Sequence, residues 1–105
     1  MRFNLVIKRG ETFNREMEIG EDVDDLVSIK MGIKETPRSN VVNQSLSLGS
    51  GIEKIPDSQS LNITIDTSLL VRPQYAYDIR IVRQDSSVAF PVSGYISVFP
   101  TITTA

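Results

Sequence analysis

Apolar and polar residues alternate along most of this chain with a period of two, the spacing of a half-buried strand. Phe3, Leu5 and Ile7 alternate with Asn4, Val6 and Lys8, and Arg9-Gly10 follows as a turn. Phe13, Met17 and Ile19 share a face with Arg15, which predicts a second strand from about Thr12 to Ile19. Val27, Ile29, Met31 and Ile33 alternate with Ser28, Lys30, Gly32 and Lys34, and Pro37 stops that strand. Val41 to Leu48 reads as a weaker strand, broken by Gly49-Ser50-Gly51, with a short continuation over Ile52 to Ile55. Leu61, Ile63 and Ile65 alternate with Asn62, Thr64 and Asp66; Thr67 to Leu70 then suits one helical turn capped by Thr67 or Asp66. Tyr75, Tyr77, Ile79 and Ile81 alternate with Ala76, Asp78, Arg80 and Val82. Asp85-Ser86-Ser87 predicts a hairpin turn into a last strand, Val88 to Phe99, bulged or bent near Pro91 and Gly94.

Seven or eight strands with turns about 8–12 residues apart predict an all-β sandwich or small barrel. The expected core is Phe13, Val27, Ile29, Met31, Ile33, Leu61, Ile63, Ile65, Tyr75, Tyr77, Ile79 and Ile81. Composition agrees, because Ile, Val and Thr number 12, 10 and 7 against three Ala, and β-branched side chains suit a pleated surface. The 105 residues suit a single domain over 1–105, with no repeat or interdomain linker.

The chain has no Cys, no His and no Trp. Disulfides, thiolate or imidazole metal sites, Cys nucleophiles and His-based triads are thereby excluded. No Ser lies in a Gly-x-Ser-x-Gly elbow, and Gly49-Ser50-Gly51 lacks the Lys-Ser/Thr of a phosphate loop. The acidic segment Glu21 to Asp25 lacks the Gly turn and distal Glu of a calcium loop and reads as a solvated connection. No catalytic residue, cofactor or metal is therefore expected. A net charge of −2, with Lys and Arg scattered among acids, offers no global attraction to nucleic acid or to an anionic membrane. No apolar run approaches the roughly 20 residues of a membrane helix, and the N-terminus has no secretory pattern, which predicts cytoplasmic synthesis.

Two features remain. Leu70 to Tyr75 resembles the turn at which a sandwich places a tyrosine whose hydroxyl bonds back to the main chain; Tyr75 is in position for it, and Tyr77 is the competing candidate. Second, Ser86 to Ala105 and Ser39 to Ile52 contain no Asp, Glu, Lys or Arg. Lone edge strands normally carry charge, and charge depletion marks interface cores. Either the last strand is central and buried on both faces, or it and its tail meet another chain. On the second reading the contact residues are Phe99, Thr101, Ile102 and Thr103, with Val41 and Val42 from the other uncharged stretch.

Five segments occur in an order that resembles a family of small bacteriophage virion proteins, related to domains that open upper-baseplate proteins. They are Ile7-Lys8-Arg9-Gly10-Glu11-Thr12-Phe13, Ile29 to Lys34, Leu61 to Ile65, Tyr75-Ala76-Tyr77-Asp78-Ile79-Arg80-Ile81 and Val92-Ser93-Gly94-Tyr95-Ile96-Ser97-Val98. The resemblance spans nearly the whole chain, although Pro73-Gln74 stands where the family usually has Gly before the tyrosines. It implies an immunoglobulin-like antiparallel β-sandwich without catalysis. It also implies a virion building block, in the tail, baseplate, connector, fibre adaptor or capsid decoration, made in the host cytoplasm. Its partners would be other virion proteins and further copies of itself in a symmetric assembly. A carbohydrate- or peptide-binding module on the same scaffold is the alternative.

Overall fold

The computed structural model of the protein describes residues 1–100. Eight strands follow in order: β1 (Leu5–Lys8), β2 (Phe13–Glu18), β3 (Leu26–Lys34), β4 (Gln44–Leu48), β5 (Gly51–Lys54), β6 (Ser60–Ile65), β7 (Gln74–Arg83) and β8 (Val88–Phe99). Two single 3-10 turns, Val23–Asp25 and Thr67–Leu69, are capped by the side chains of Asp22 and Asp66, each accepting a backbone N–H two residues on.

The strands pair in the order β1-β8-β7-β3-β4-β5-β6-β2. Laid flat at about 4.8 Å spacing, such a ladder would be about 34 Å wide and would leave one apolar face wet. Instead it folds back at β4–β5. That pairing is only two residues long, Ser47 with Gly51 and Leu48 with Ile52. The corner uses Gly49 and Gly51 at φ 84° and 95°, where side-chain-bearing residues are strained. A Cβ on Gly51 would also lie 2.7 Å from Leu46 Cδ2 and 3.1 Å from the Thr64 carbonyl oxygen. The result is an immunoglobulin-like sandwich, with β1-β8-β7-β3-β4 as the large sheet and β5-β6-β2 as the small one. Its shortest dimension, 21 Å, fits two layers about 10 Å apart with their outward side chains.

One buried cluster fills the space between the sheets, drawing on all eight strands and on Ile19, Val23 and Leu70 from the loops. Eleven of the twelve expected core residues lie in it; Val27 does not. It is 59% exposed because β3 carries a bulge, where Leu26 faces Arg83 and Ser28 faces Val82 with Val27 between them. The extra residue flips the alternation, and Leu26 takes the inward position. A second bulge sits at Phe90–Pro91: Ile79 pairs with Val92 and Ile81 with Ala89, so β8 has one residue more than β7 over this stretch. Proline fits there because a bulge relieves it of a ladder hydrogen bond.

Two further points differ from the sequence reading. The pairing is not wholly antiparallel: β1 runs parallel to β8, with Leu5 opposite Ile96 and Lys8 opposite Phe99, and the short β4–β5 pairing at the corner is parallel too. β4 begins only at Gln44, which leaves Val41 and Val42 in the preceding loop.

Ile63, buried at the centre of β6, should cost about 2–5 kcal/mol on truncation to Ala, through lost transfer energy and the cavity left behind. Val27→Ala should change stability by no more than about 0.5 kcal/mol. Urea unfolding of both variants checks the pair, and equal losses would contradict the bulge.

Candidate interaction surface

The outward positions of the large sheet form a broad front face. Register fixes its rows. Lys30 stands beside Arg80; Gly32 beside Asp78 and then Ser93; Lys34 beside Ala76 and then Tyr95; Gln74 beside Ser97 and then Val6; and Lys8 beside Phe99. The short side chains of Gly32, Ala76 and Ser93 leave a depression of about 400 Å³ in mid-face. Pro37 and Val42, from the loop before β4, line it on one side, and Arg2 and Tyr95 on the other. The Arg2 guanidinium lies 5.7 Å from the Tyr95 ring centroid, within cation–π range.

Arg2 is held there by the way residues 1–4 run along β8. The Phe3 N–H donates to the Ser93 carbonyl at 2.9 Å, and the Ser93 N–H donates to the Met1 carbonyl at 3.0 Å. The Tyr95 N–H donates to Asn4 Oδ1 at 3.0 Å, and the buried Tyr77 hydroxyl donates to the Phe3 carbonyl oxygen. This close approach requires glycine at position 94, since a Cβ there would lie 2.2 Å from the Phe3 oxygen. The two tyrosines therefore do different work. The Tyr75 hydroxyl accepts the Arg72 N–H at 3.0 Å, three residues upstream, as a tyrosine corner does. Tyr77 ties the first residues to the sheet, and burial pushes its pKa up to about 12.

Of the residues expected at a contact, Phe99 is 54% exposed at the end of β8, and Val41 and Val42 are exposed in the loop. Thr101, Ile102 and Thr103 lie outside the described residues. The last strand is neither an edge nor buried on both faces: β1 and β7 flank it, its inner face is in the core, and Val88, Phe90 and Phe99 point outward to solvent. The edges of the ladder are β1 and β2. The structure also brings the two uncharged stretches together, because Val42 from one and Ser93 to Tyr95 from the other line the same depression. Arg2, Lys34, Tyr95 and Phe90 belong to this face and escaped the sequence reading. The polar half of the alternation held the signal, but only register shows which strands lie side by side.

Charge on the front face is one-sided. Arg2, Lys8, Lys30, Lys34 and Arg80 face outward with a single carboxylate, Asp78. The ion pairs among the described residues, Arg72–Glu35 and Arg83–Glu21, involve none of them. The carboxylates of the acidic segment serve its own geometry and that of its neighbour: Asp22 accepts the Asp24 N–H at 3.0 Å, and Asp24 the Asp57 N–H at 3.1 Å. Among the described residues no group of three or more Asp or Glu is placed to hold a metal ion, and no helix is long and apolar enough to cross a membrane.

No family model and no curated protein sequence matches this chain. Solved structures do. CopC from Methylosinus trichosporium OB3b superposes with a TM-score of 0.60 at 12% identity, covering 96% of this chain and 90% of CopC. The natural-killer-cell receptor NKp44 superposes with a TM-score of 0.51 at 20% identity, covering 91% of this chain and 98% of the receptor domain. At these identities the likeness shows the fold, an immunoglobulin-like and CopC-type sandwich, and nothing about activity.

The folded chain holds the Tyr77 proton more tightly than the unfolded chain, so the unfolded state loses its proton first as pH rises. This contribution to stability should be intact below pH 10 and disappear as pH passes through about 12. Tyr77→Phe should flatten that alkaline limb in urea titrations at several pH values. Tyr75→Phe should instead cost about 1 kcal/mol at neutral pH through the lost partner of the Arg72 N–H.

Proposed function

We propose that this chain is a non-catalytic building block of a larger protein assembly, a bacteriophage particle, and that it docks through its front face. One observation carries the docking: the two uncharged stretches of sequence converge on this face, where Val42 and Ser93 to Tyr95 line a shallow depression and Phe90 and Phe99 are exposed further along β8. Exposed aromatic side chains on the uncharged strand β8 suit a protein contact, because they add apolar area there without the cost of desolvating ions, while the cations of β3 and β7 beside them supply charge for a partner to match. The sandwich beneath is rigid and single-cored, as a repeated structural part needs to be. The assignment to a virion rests on the five ordered segments that resemble the small virion proteins. Tail, baseplate, connector, fibre adaptor and capsid decoration are all compatible roles, with other virion proteins and further copies of this chain as partners.

A second reading keeps the face and changes the ligand. A depression of about 400 Å³ falls within the range of small-ligand sites, and it would take one side chain of an extended peptide. It suits a sugar less well, since of its two lining tyrosines Arg2 stands over Tyr95 and Tyr77 is buried.

The test is to purify particles from an induced phage lysate of the strain that carries the coding sequence. The chain should band with them on a density gradient, at a fixed ratio to the major capsid protein by mass spectrometry. Phe90→Lys with Phe99→Lys should leave stability within about 0.5 kcal/mol of the parent and lower incorporation at least about tenfold. Absence of the parent chain from the particles would overturn the virion assignment. Undiminished incorporation of the variant would move the contact to another face.

A further inference from the structure

The net charge of −2 conceals two faces of opposite sign. The front face presents Arg2, Lys8, Lys30, Lys34 and Arg80 with one carboxylate, Asp78. On the back face, the outward side of the small sheet, the ionisable side chains are Glu16, Glu18 and Glu53. Glu16 and Glu53 flank Asn62 in one row, one on each of the two strands that border β6. The two cations of these strands are turned elsewhere. Lys54 reaches round to donate to the Leu26 carbonyl at 2.6 Å, and Arg15 lies on the inward side of the edge strand, its guanidinium 5.0 Å from the Phe13 ring centroid.

We propose that the front face of one copy docks on the back face of the next, so that this chain associates with itself head to tail. The inference rests on the reading of the chain as an assembly module and names its partner as a second copy. Charge decides the geometry. A front-to-front dimer would press four or more cations together, and a back-to-back dimer three carboxylates on each side, whereas front-to-back sets unlike charges opposite each other. A head-to-tail contact uses two different surfaces per copy and therefore repeats, closing into a ring or running on as a filament. Area decides the strength. Three strands of about six residues offer only about 300 Å² on the back face, well under the about 800 Å² per partner of a stable complex. Each contact is accordingly weak and salt-sensitive, and becomes persistent only where ring closure or a scaffold raises the effective concentration.

The experiment is sedimentation equilibrium of the full chain, in about 10 mM salt, where charges act over about 30 Å, and in about 1 M salt, where they act over about 3 Å. The parent should associate in the first and weaken at least tenfold in the second. Two variants separate the faces: Lys30→Glu with Lys34→Glu removes the positive excess of the front, and Glu16→Lys with Glu53→Lys makes the back basic. Each alone should be monomeric at low salt with an unchanged far-UV spectrum, and a mixture of the two should associate again. A monomeric parent at low salt, association indifferent to salt, or a mixture that stays monomeric would overturn head-to-tail docking. Incorporation into particles reads the assembly role independently, so failure of one is distinguishable from failure of the other.

Discussion

The molecule depends on one corner. Eight strands form a continuous ladder, and its apolar side leaves water only if the ladder doubles over. The chain does this at Gly49-Ser50-Gly51, where two residues take a left-handed backbone conformation and a Cβ on Gly51 would strike Leu46. Ile52 on one side of the corner and Leu46 on the other both enter the core. The folded ladder then has an inside, shared by both sheets, and two outsides that face opposite ways. The front depression and the acidic back both follow from that single reversal.

A second constraint shapes the front. Residues 1–4 lie so close along β8 that position 94 has no room for a side chain, and the Tyr77 hydroxyl closes the contact from the core side. This places Arg2 over Tyr95. It also extends the parallel pairing of β1 past the strand proper, with Arg2 bridged to Ser93. The edge that an uncharged last strand would offer is therefore occupied from within the chain. What β8 presents to a neighbour is its side chains and not its backbone, so a partner is recognised by surface chemistry in preference to strand addition.

The electrostatics show why net charge is a poor guide to association. A total near neutrality describes equally a surface of mixed charges and one divided into halves. Here the inward turn of Lys54 and the edge position of Arg15 remove cations from the back, while β3 and β7 put theirs on the front. Fields of this kind act over about a Debye length and set orientation and encounter rate more than affinity. The neutral, aromatic parts of the front face provide the apolar area that charge does not.

The strands themselves were legible in the sequence, because alternation is a local property: each side chain's direction follows from that of its neighbour. β8 runs from Val88 to Phe99, as the pattern predicts, and the turn after Asp66 is capped by Asp66. The core followed wherever alternation was unbroken, and failed at Val27, where a bulge reset the period without a sequence signal as strong as proline or glycine. The candidate tyrosines were visible too, though their division of labour was not: Tyr75 bonds three residues back, while Tyr77 reaches a residue 74 positions away. Which strands are neighbours, that Val42 and Tyr95 line one hollow, and that acids and bases sort onto opposite faces were decided by tertiary structure alone. Strand order and register are set by long-range pairing, and a pattern of period two is satisfied by many such pairings; only the closed core selects among them.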